Sequence, residues 1–423
     1  MNVLLVPIGS HGDVHPFVGL GLALRARGHR VRVIVNPYFG PLVEQAGLEL
    51  IPLGTADYYR QIISNPDLWK PTKGPRAVFR SLADLHRPVY EAVAAGNIPG
   101  ETVVAASTLA LGARVAHDKL GIPTATIHLQ PAVFRSCINP PKMPGMLTGP
   151  RVPRWMIALQ WKVIDAVAID RTIGPALNAF RKELGLPRVK GIFREYMHSP
   201  RRVIGMFPDW FAPPQADWPP HARLTGFPLY DERGVSDLSP DLRQFLNEGK
   251  PPIAFTFGSA MQHAHELLEQ SARACALLGR RGLLLTRHQE QVPQRLPTGV
   301  IHINFAPFSE LLPHCAALVH HGGIGTASQA LAAGIPQLIL PHTHDQPDNA
   351  MRLEKLGVAR TLSPKKYRAD RVAQVLADLL GSEQVNASCA EVAERMKGGD
   401  PLEETCKLLE ELLEPVPIEA AGT

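Results

Sequence analysis

The chain has 423 residues, a formal net charge of +5 and an apolar fraction of 45%. This is an ordinary globular composition, so a disordered or fibrous protein is excluded, and a typical size of about 150 residues per domain predicts two or three domains. The charge is weak and no run rich in lysine or arginine occurs, so we expect no nucleic acid among the partners.

The sequence also bears on compartment and on metal binding. No apolar stretch approaches the roughly 18 residues that span a bilayer, and the N-terminus lacks the basic region of a signal peptide. The five cysteines are scattered and never spaced Cys-x-x-Cys, so we expect neither a disulfide framework nor a zinc site. These features predict a cytoplasmic protein with no bound metal.

The predicted elements begin with a strand–helix–strand unit. Residues 3–8 are an apolar strand that enters a Gly-rich turn, and an apolar pattern of helical period then runs to Gly28. Residues 31–35 predict the second strand. Two strands joined by a helix pair in parallel, so this unit implies a parallel sheet. Further strands of this half are predicted at residues 48–53, 102–106 and 124–128.

The second half of the chain repeats the same alternation. Its strands are predicted at residues 252–257, 282–286, 300–304, 317–320 and 337–340. The sequence therefore predicts two doubly wound α/β domains, at residues 1–224 and 251–400, joined by a linker at residues 225–250 that is dense in Gly, Pro, Asp and Glu. Residues 401–423 are predicted to contain a C-terminal helix, for which packing back on the N-terminal domain is one open alternative.

Two common nucleotide chemistries are disfavoured by the turns that follow the strands. Residues 9–15 do not spell Gly-x-Gly-x-x-Gly, and the second strand ends at Asn36 rather than at an acid that would bind a ribose. No Gly-x-x-x-x-Gly-Lys-[Ser/Thr] run occurs either. We therefore expect neither a dehydrogenase nor a P-loop enzyme.

The strongest motif lies at two successive strand ends of the second half. A buried strand ends in the pair His320–His321, and a Gly-rich turn then opens a helix near Thr326. Glycines allow a close backbone approach, and free amides together with the helix dipole favour an anion such as a phosphate. The next strand leads to Asp345 and Gln346 at the same sheet edge, where an acid and an amide suit sugar hydroxyl groups. The two clusters together predict a ligand site for a phosphorylated sugar.

Residues 305–349 resemble the nucleotide-sugar signature of the two-domain, GT-B glycosyltransferases of the UDP-glycosyltransferase type. The resemblance implies the GT-B fold, in which two Rossmann-like domains face each other across a cleft, and a nucleotide diphosphate sugar as co-substrate with no other cofactor. It implies that His320 binds the diphosphate and that Phe305 stacks on the nucleobase. Asp345 and Gln346 would bind the sugar hydroxyls. The residues that the resemblance places against the phosphates are Gly258, Ser259, Gly322, Gly323, Gly325 and Thr326.

The Gly-rich loop after the first strand, residues 9–16, lies at the carboxyl edge of the predicted sheet, where the cleft is expected. Inverting glycosyl transfer needs a base that takes the proton of the acceptor hydroxyl, and the family resemblance implies that role for Asp13. His11 and His15 flank Asp13 and are assigned to orienting the acceptor or sharing its proton. The alternative is that Asp13 only caps the following helix, since Asp is preferred at helix N-termini; the C-terminal motif favours catalysis.

Nearly the whole chain resembles the rhamnosyltransferases of bacterial rhamnolipid synthesis, most distinctively in the aromatic–proline segment of residues 207–219. That family moves L-rhamnose from dTDP-L-rhamnose to a hydroxyl of a 3-(3-hydroxyalkanoyloxy)alkanoate lipid, and we expect an inverting reaction of this kind. The lack of an Asp-x-Asp motif indicates that the reaction needs no metal.

Three alternatives stay open. The double histidine at residues 320–321 is more typical of general bacterial and sterol glycosyltransferases, so one alternative is a UDP-glucose-dependent enzyme that acts on a sterol or another secondary metabolite. The second is a nucleotide-sugar 2-epimerase, which shares the fold. The third, from another class, is a non-catalytic subunit that binds the nucleotide sugar for a partner. The oligomeric state is not predicted.

The acceptor side is predicted from an apolar stretch of helical period at residues 155–169, which follows a loop rich in Pro, Met and Gly. The favoured interpretation is a core helix. The alternative is a hydrophobic acceptor channel, or a patch that rests on the inner membrane with help from nearby basic residues. These basic residues are Arg151, Arg154 and Lys162. The aromatic residues assigned to the acceptor are Trp155, Tyr58 and Tyr59.

Overall fold

The computed structural model describes residues 1–70, 73–149, 151–232, 238–258, 261 and 264–414. In these residues the chain forms two separate β-sheets, and every strand pairing in them is parallel. The pair of doubly wound α/β domains that the sequence predicts is therefore confirmed.

The N-terminal sheet has seven strands. They are β1 Asn2–Val6, β2 Arg30–Val35, β3 Glu49–Pro52, β4 Thr102–Ser107, β5 Thr124–His128, β6 Arg202–Gly205 and β7 Ala222–Leu224. Their spatial order is β3-β2-β1-β4-β5-β6-β7, so the direction of winding reverses between β1 and β4. Each residue of β1 is buried between those neighbours, because helices cover both faces of a doubly wound sheet.

The C-terminal sheet has six strands. They are β8 Ile253–Thr256, β9 Gly282–Leu285, β10 Val300–Ile303, β11 Ala317–His320, β12 Gln337–Ile339 and β13 Ala359–Thr361. The order β10-β9-β8-β11-β12-β13 reverses between β8 and β11. Both sheets thus have one reversal point, and three of the strands beside these points, β1, β8 and β11, lead into turns that the sequence singles out.

The helices connect the strands and cover the sheets. In the N-terminal half they are α1 His11–Ala26, α2 Gly40–Gln45, α3 Ala56–Ile63, α4 Gly74–Ala83, α5 His86–Gly96, α6 Leu111–Leu120, α7 Arg154–Ile164, α8 Asp170–Thr172 and α9 Gly174–Glu183, with π-helical turns at Asp165–Ile169 and Ile192–Tyr196. In the C-terminal half they are α10 Pro240–Asn247, α11 His265–Leu278, α12 Phe308–Leu311, α13 Ile324–Ala332, α14 Gln346–Lys355, α15 Ala369–Leu380, α16 Glu383–Met396 and α17 Pro401–Glu410. Among the described helices none has the length and apolar character that crossing a membrane requires.

The last helix, α17, packs on the N-terminal domain although it follows the C-terminal domain in sequence. Leu409 is buried in the same apolar cluster as Phe17 of α1. Arg27, just after α1, forms ion pairs with Glu403 at 2.5 Å and with Glu410 at 2.6 Å. The chain therefore crosses the domain boundary twice. The second crossing places α17 against the outer side of α1 and holds α1 in position.

The aromatic–proline segment packs at the boundary between the domains. Phe207, Phe211 and Trp218 belong to one apolar cluster with Phe255 of β8. The Arg352 guanidinium of α14 donates a hydrogen bond to the Phe211 carbonyl at 3.3 Å. The prolines of this segment prevent a helix or a sheet ladder, so its aromatic side chains are free to fill the space between the two sheets.

Candidate functional site

The carboxyl ends of the two sheets face each other across the domain boundary. Ligands of doubly wound sheets bind where the strand order reverses, which here is beside β1 and beside β11. The helices that follow these strands, α1 and α13, contact each other. Gly12 and Pro16 of α1 line one cavity together with Ile324 and Gly325 of α13. The fold therefore brings together two Gly-rich turns that lie far apart in sequence.

Asp13 lies in the first turn of α1, with its carboxylate turned back on the preceding loop. Its Oδ2 atom accepts hydrogen bonds from the Ser10 amide at 2.7 Å and from the Ser10 hydroxyl at 3.1 Å. Gly9, with a φ of +145°, permits this arrangement, because a Cβ there would lie 2.2 Å from the same oxygen. Burial raises the pKa of Asp13, against the lowering effect of the Ser10 bonds. Asp13 therefore takes part in capping α1, through its hydrogen bond from the Ser10 amide. Because both hydrogen bonds from Ser10 end on Oδ2, the other carboxylate oxygen, Oδ1, remains as a possible proton acceptor.

Aromatic rings surround the imidazole of His11 beside Asp13. The centroid of the His11 ring lies 5.0 Å from that of Phe39 and 5.7 Å from that of Tyr38. Tyr59 packs against both of those rings. Burial lowers the pKa of His11 to about 4, so this imidazole is neutral at pH 7. Burial, together with the charge of Asp13, raises the pKa of Tyr59 above its usual value. The surroundings of His11, two residues before Asp13, are therefore apolar and aromatic.

The other two aromatic residues assigned to the acceptor lie outside this ring cluster. The Tyr58 hydroxyl donates to Asp84 at 3.3 Å in an exposed hydrogen bond. Trp155, in the first turn of α7, is 67% exposed. Of the three predicted acceptor aromatics, the structure thus brings Tyr59 alone to the ring cluster around His11.

The assignment of the diphosphate to His320 needs a correction. The His320 side chain is completely buried at the end of β11. Its Nε2 atom donates to the Gln337 side chain at 2.9 Å, and its Nδ1 atom accepts from the Gly322 amide at 3.1 Å. Both ring nitrogens therefore hold the turn together, and neither is available to a phosphate oxygen.

His321 is the imidazole at the cleft, and the sequence interpretation missed it. Its ring lies between two glycines: a Cβ on Gly258 would be 3.1 Å from the ring, and one on Gly323 would be 2.6 Å from it. The Nδ1 atom is buried and has no hydrogen-bond partner among the described residues. Burial lowers the pKa of His321 to about 3. The sequence position of His321 could have identified it, because the first residue after a buried strand lies at the edge of the sheet, and β11 ends at His320.

The turns after β8 and β11 require glycine. Gly258 and Gly322 have φ angles of +99° and +94°, a region that residues with a Cβ rarely adopt. A Cβ on Gly322 would also lie 2.9 Å from the Ile339 side chain. Ser259, the next residue that the resemblance places against the phosphates, lies outside the described residues.

Helix α13 presents its N-terminus to the cleft. Gly323 is the N-cap residue, and in the described structure no side chain caps this end. No described atom lies within 4 Å of the position that a Cβ of Gly325 would take, so the backbone there is open to a ligand. The amides of the first turn, which includes Thr326, have no partner within the helix and favour a bound anion.

Asp345 lies immediately before α14 and beside the Gly-rich turn. The Asn349 side-chain amide donates to Asp345 Oδ2 at 2.7 Å and to the Gly322 carbonyl at 3.0 Å, which ties the two loops together. Burial raises the pKa of Asp345 to about 7, and the charge of Asp13 contributes to this shift. Asp13 and Asp345 therefore interact electrostatically across the domain boundary.

The side chain of Gln346 is hydrogen-bonded at its oxygen, and its NH₂ group has no partner among the described residues. Its side-chain carbonyl accepts hydrogen bonds from the His342 amide at 2.8 Å and from the Thr343 amide at 3.2 Å. The carbonyl thus stabilises its own loop, and the side-chain NH₂ group is the part that can donate to a sugar hydroxyl.

A chain of contacts joins the helix that carries Asp13 to Phe305. Glu232 lies 2.7 Å from the Nε2 atom of His15 and 3.8 Å from a guanidinium nitrogen of Arg287. The Arg287 guanidinium in turn lies over the Phe305 ring, 4.6 Å from its centroid. Burial alone would raise the pKa of Glu232. The neighbouring His15 and Arg287 outweigh burial, so the pKa of Glu232 lies below its usual value. Neither Glu232 nor Arg287 stood out in the sequence, because an isolated Glu or Arg carries no motif.

Comparisons with known proteins identify the family. The model of the glycosyltransferase family 28 N-terminal domain matches residues 3–137, and that of the erythromycin biosynthesis protein CIII-like C-terminal domain matches residues 283–412. O-mycaminosyltylonolide 6-deoxyallosyltransferase of Streptomyces fradiae is 30% identical over 98% of this chain and 98% of its own. The chain belongs to the EryCIII-like glycosyltransferases of family 28.

Solved structures show the same fold for this glycosyltransferase. The glycotransferase of kitacinnamycin superposes with a TM-score of 0.75 at 21% identity, over 98% of this chain and 99% of its own. The spinosyn rhamnosyltransferase SpnG, complexed with thymidine diphosphate, superposes with a TM-score of 0.68 at 19% identity, over 96% of this chain and 100% of its own. The predicted GT-B fold is therefore confirmed.

The two neighbouring histidines are expected to fail differently on substitution. We expect His321→Ala to weaken the binding of thymidine diphosphate roughly tenfold to hundredfold, because a hydrogen bond to a charged group contributes about 1.5–3 kcal/mol. His320→Ala should instead lower the free energy of unfolding by about 1–3 kcal/mol, because it leaves buried partners unsatisfied. Isothermal titration and urea unfolding measure the two effects. The exposed His314→Ala variant of the same domain is the control, and an unchanged affinity of His321→Ala would contradict the assignment.

Glu232→Gln is expected to lower kcat/KM about 3-fold to 30-fold, or roughly 0.7–2 kcal/mol, because it weakens the hold on His15 and Arg287 without changing side-chain shape. Steady-state kinetics measure this. Glu290→Gln, at a carboxylate that is 69% exposed and lies 3.2 Å from a histidine, is the matched control. Wild-type kinetics in Glu232→Gln would show that this chain of contacts has no role in turnover.

Proposed function

We propose that this glycosyltransferase moves a 6-deoxyhexose, with L-rhamnose as the favoured sugar, from a thymidine-diphosphate donor to a hydroxyl group of a hydrophobic acceptor. The observation that carries the proposal is the contact of α1, which carries Asp13 in its first turn, with α13, whose N-terminus has no side-chain cap in the described structure. The printed names of two relatives support the sugar class, since one is a 6-deoxyallosyltransferase and another a rhamnosyltransferase with bound thymidine diphosphate.

The donor's diphosphate would lie at the N-terminus of α13. There the first-turn amides, the helix dipole and the neutral imidazole of His321 can meet its charge as the leaving group forms. We therefore propose a reaction without a metal.

Asp13 is the proposed base. It would take the proton of the acceptor hydroxyl while that oxygen forms a bond to the anomeric carbon, and the bond from this carbon to the diphosphate breaks on the opposite side, which inverts the anomeric centre. Its raised pKa makes the carboxylate a stronger base than an exposed aspartate. The two hydrogen bonds from Ser10 hold it in one orientation.

The acceptor is proposed to be hydrophobic because aromatic rings surround His11, two residues before the proposed base. His11 is neutral, and Tyr38, Phe39 and Tyr59 pack against one another beside it. A macrolide-type lactone, as the name of the Streptomyces fradiae relative suggests, and a 3-(3-hydroxyalkanoyloxy)alkanoate lipid both combine an apolar body with a free hydroxyl. Either would bury its apolar surface against these rings.

A donor and acceptor panel tests this proposal. We expect the highest kcat/KM with dTDP-L-rhamnose or another dTDP-6-deoxyhexose, and with the macrolide lactone or the acyloxyalkanoate rather than a sterol. Mass spectrometry identifies the product, and NMR of its anomeric proton reports inversion.

The competing functions give different results in the same panel. Turnover with UDP-glucose and a sterol alone would favour the sterol-type alternative. Conversion of UDP-GlcNAc to its epimer without any acceptor would favour the epimerase. Loss of activity in EDTA, restored by a divalent cation, would contradict the metal-free mechanism.

Asp13→Asn is expected to lower kcat about 10²-fold to 10⁴-fold, because the amide cannot accept the proton. Binding of thymidine diphosphate should stay close to that of the wild type. In the wild type, kcat/KM should rise with pH as Asp13 ionises, with a midpoint above the usual aspartate pKa, since burial raises it. The exposed Asp57→Asn variant is the control. Wild-type turnover in Asp13→Asn would show that Asp13 is not the base.

A further inference from the structure

Exposed apolar side chains concentrate on one face of α7. Trp155 is 67% exposed, and Leu159, Val163 and Val167 are each 51% exposed. Their spacing of four residues puts them in one row along the helix. The row continues into the π-helical turn Asp165–Ile169, which contains Val167. Leu147, 64% exposed, joins the row, because its backbone exchanges two hydrogen bonds with the side chain of Gln160 on α7. We call these five apolar residues the α7 ridge.

The opposite face of α7 is anchored in the core. Ile157, Trp161 and Ile169 are buried. The Arg135 guanidinium lies over the Trp161 ring, 4.8 Å from its centroid, and pairs with the buried carboxylate of Asp165. The sequence left open whether residues 155–169 form a core helix or an exposed apolar patch. The structure shows that one face of the helix is buried in the core and that the other is exposed. A helix on a water-exposed surface normally carries polar residues where this one carries the α7 ridge.

The exposed charged side chains of residues 139–182, the stretch that contains the α7 ridge, are all basic. Exposed basic side chains flank it: Arg151, Arg154, Lys162 and Arg171. Residues 139–182 contain two acids, Asp165 and Asp170. Asp165 pairs with Arg135, and Asp170 accepts hydrogen bonds from the amides of Gly191 and Ile192. Both carboxylates are thus occupied, so the surface is apolar along its middle and cationic at its edges.

We propose that the α7 ridge docks on an anionic lipid surface. An apolar row flanked by Lys and Arg is the pattern of helices that lie in the headgroup region, where each basic residue near the surface adds to the attraction. Trp155 and the aliphatic residues of the ridge would enter the interface, and the basic side chains would contact the headgroups.

The ridge is also connected to the cleft. The loop before α7 reaches the C-terminal domain, where the Lys142 amide donates to the carboxylate of Asp348 in α14 at 2.9 Å. Helix α14 begins at Gln346, a proposed donor-binding residue. A hydrophobic acceptor dissolved in the bilayer would therefore enter beside the donor site. The docking itself does not depend on which sugar or acceptor is used.

Vesicle binding by the full chain tests this proposal. We expect the protein to sediment with vesicles of phosphatidylcholine and phosphatidylglycerol but not with vesicles of phosphatidylcholine alone, and to be released by added salt. Leu159→Gln/Val163→Gln should weaken the binding at least tenfold, and Arg154→Glu/Lys162→Glu should do the same. The matched controls on the C-terminal domain are Leu277→Gln, at a side chain that is 65% exposed, and Lys365→Glu/Lys366→Glu.

Three results would overturn the docking. The first is equal sedimentation of the wild type and the Leu159→Gln/Val163→Gln variant, provided that thermal unfolding shows both to be folded. The second is a wild-type dimer in light scattering that becomes a monomer in this variant, which would assign the ridge to a second copy of the chain. The third is a raised KM of this variant for a short, freely soluble acceptor, which would assign the ridge to the acceptor site. A failed donor panel would leave the vesicle result unaffected.

Discussion

The structure depends on one geometric constraint, the close approach of two Gly-rich turns at the reversal points of two parallel sheets. The first residues of α1 and α13, among them Gly12 and Gly325, line the same cavity. Because both turns follow the carboxyl ends of strands, both helices present their N-termini to the boundary. The proposed phosphate site on one domain and the proposed base on the other therefore lie at a single cleft.

The contacts between the domains explain how this approach is maintained. The aromatic–proline segment of residues 207–219 fills the space beside β8, and α17 returns to cover α1. The linker adds Asp231, which accepts hydrogen bonds from the amide and hydroxyl of Ser309. Its neighbour Glu232 reaches both His15 and Arg287. Both domains thus contact the helix that carries the proposed base. A displacement of Phe305, where the family resemblance implies the nucleobase, can reach α1 through Arg287 and Glu232.

The sequence interpretation succeeded where local pattern and local chemistry coincide. Strands and Gly-rich turns follow from hydrophobic periodicity and from φ angles that favour glycine, and ten of the thirteen described strands were predicted on that basis. The strands β6 and β7, at one end of the N-terminal sheet, and β13, at one edge of the C-terminal sheet, were not predicted. It was wrong for His320, because two adjacent histidines look alike until the pleat of β11 turns one inward. It left α7 open, because an apolar row reads the same whether it faces a core or the surface.

The sequence by itself determined the two-domain α/β architecture, the family resemblance and the loops that carry the chemistry, since these depend on residue order and spacing. Only the tertiary structure decided which imidazole reaches the cleft, which aromatic residues lie beside Asp13, and that Glu232 and Arg287 join the two halves of the site. It also decided that α7 has an exposed apolar face. These properties depend on contacts between segments that are distant in sequence and on which face of a helix or strand other elements bury. The local sequence determines neither.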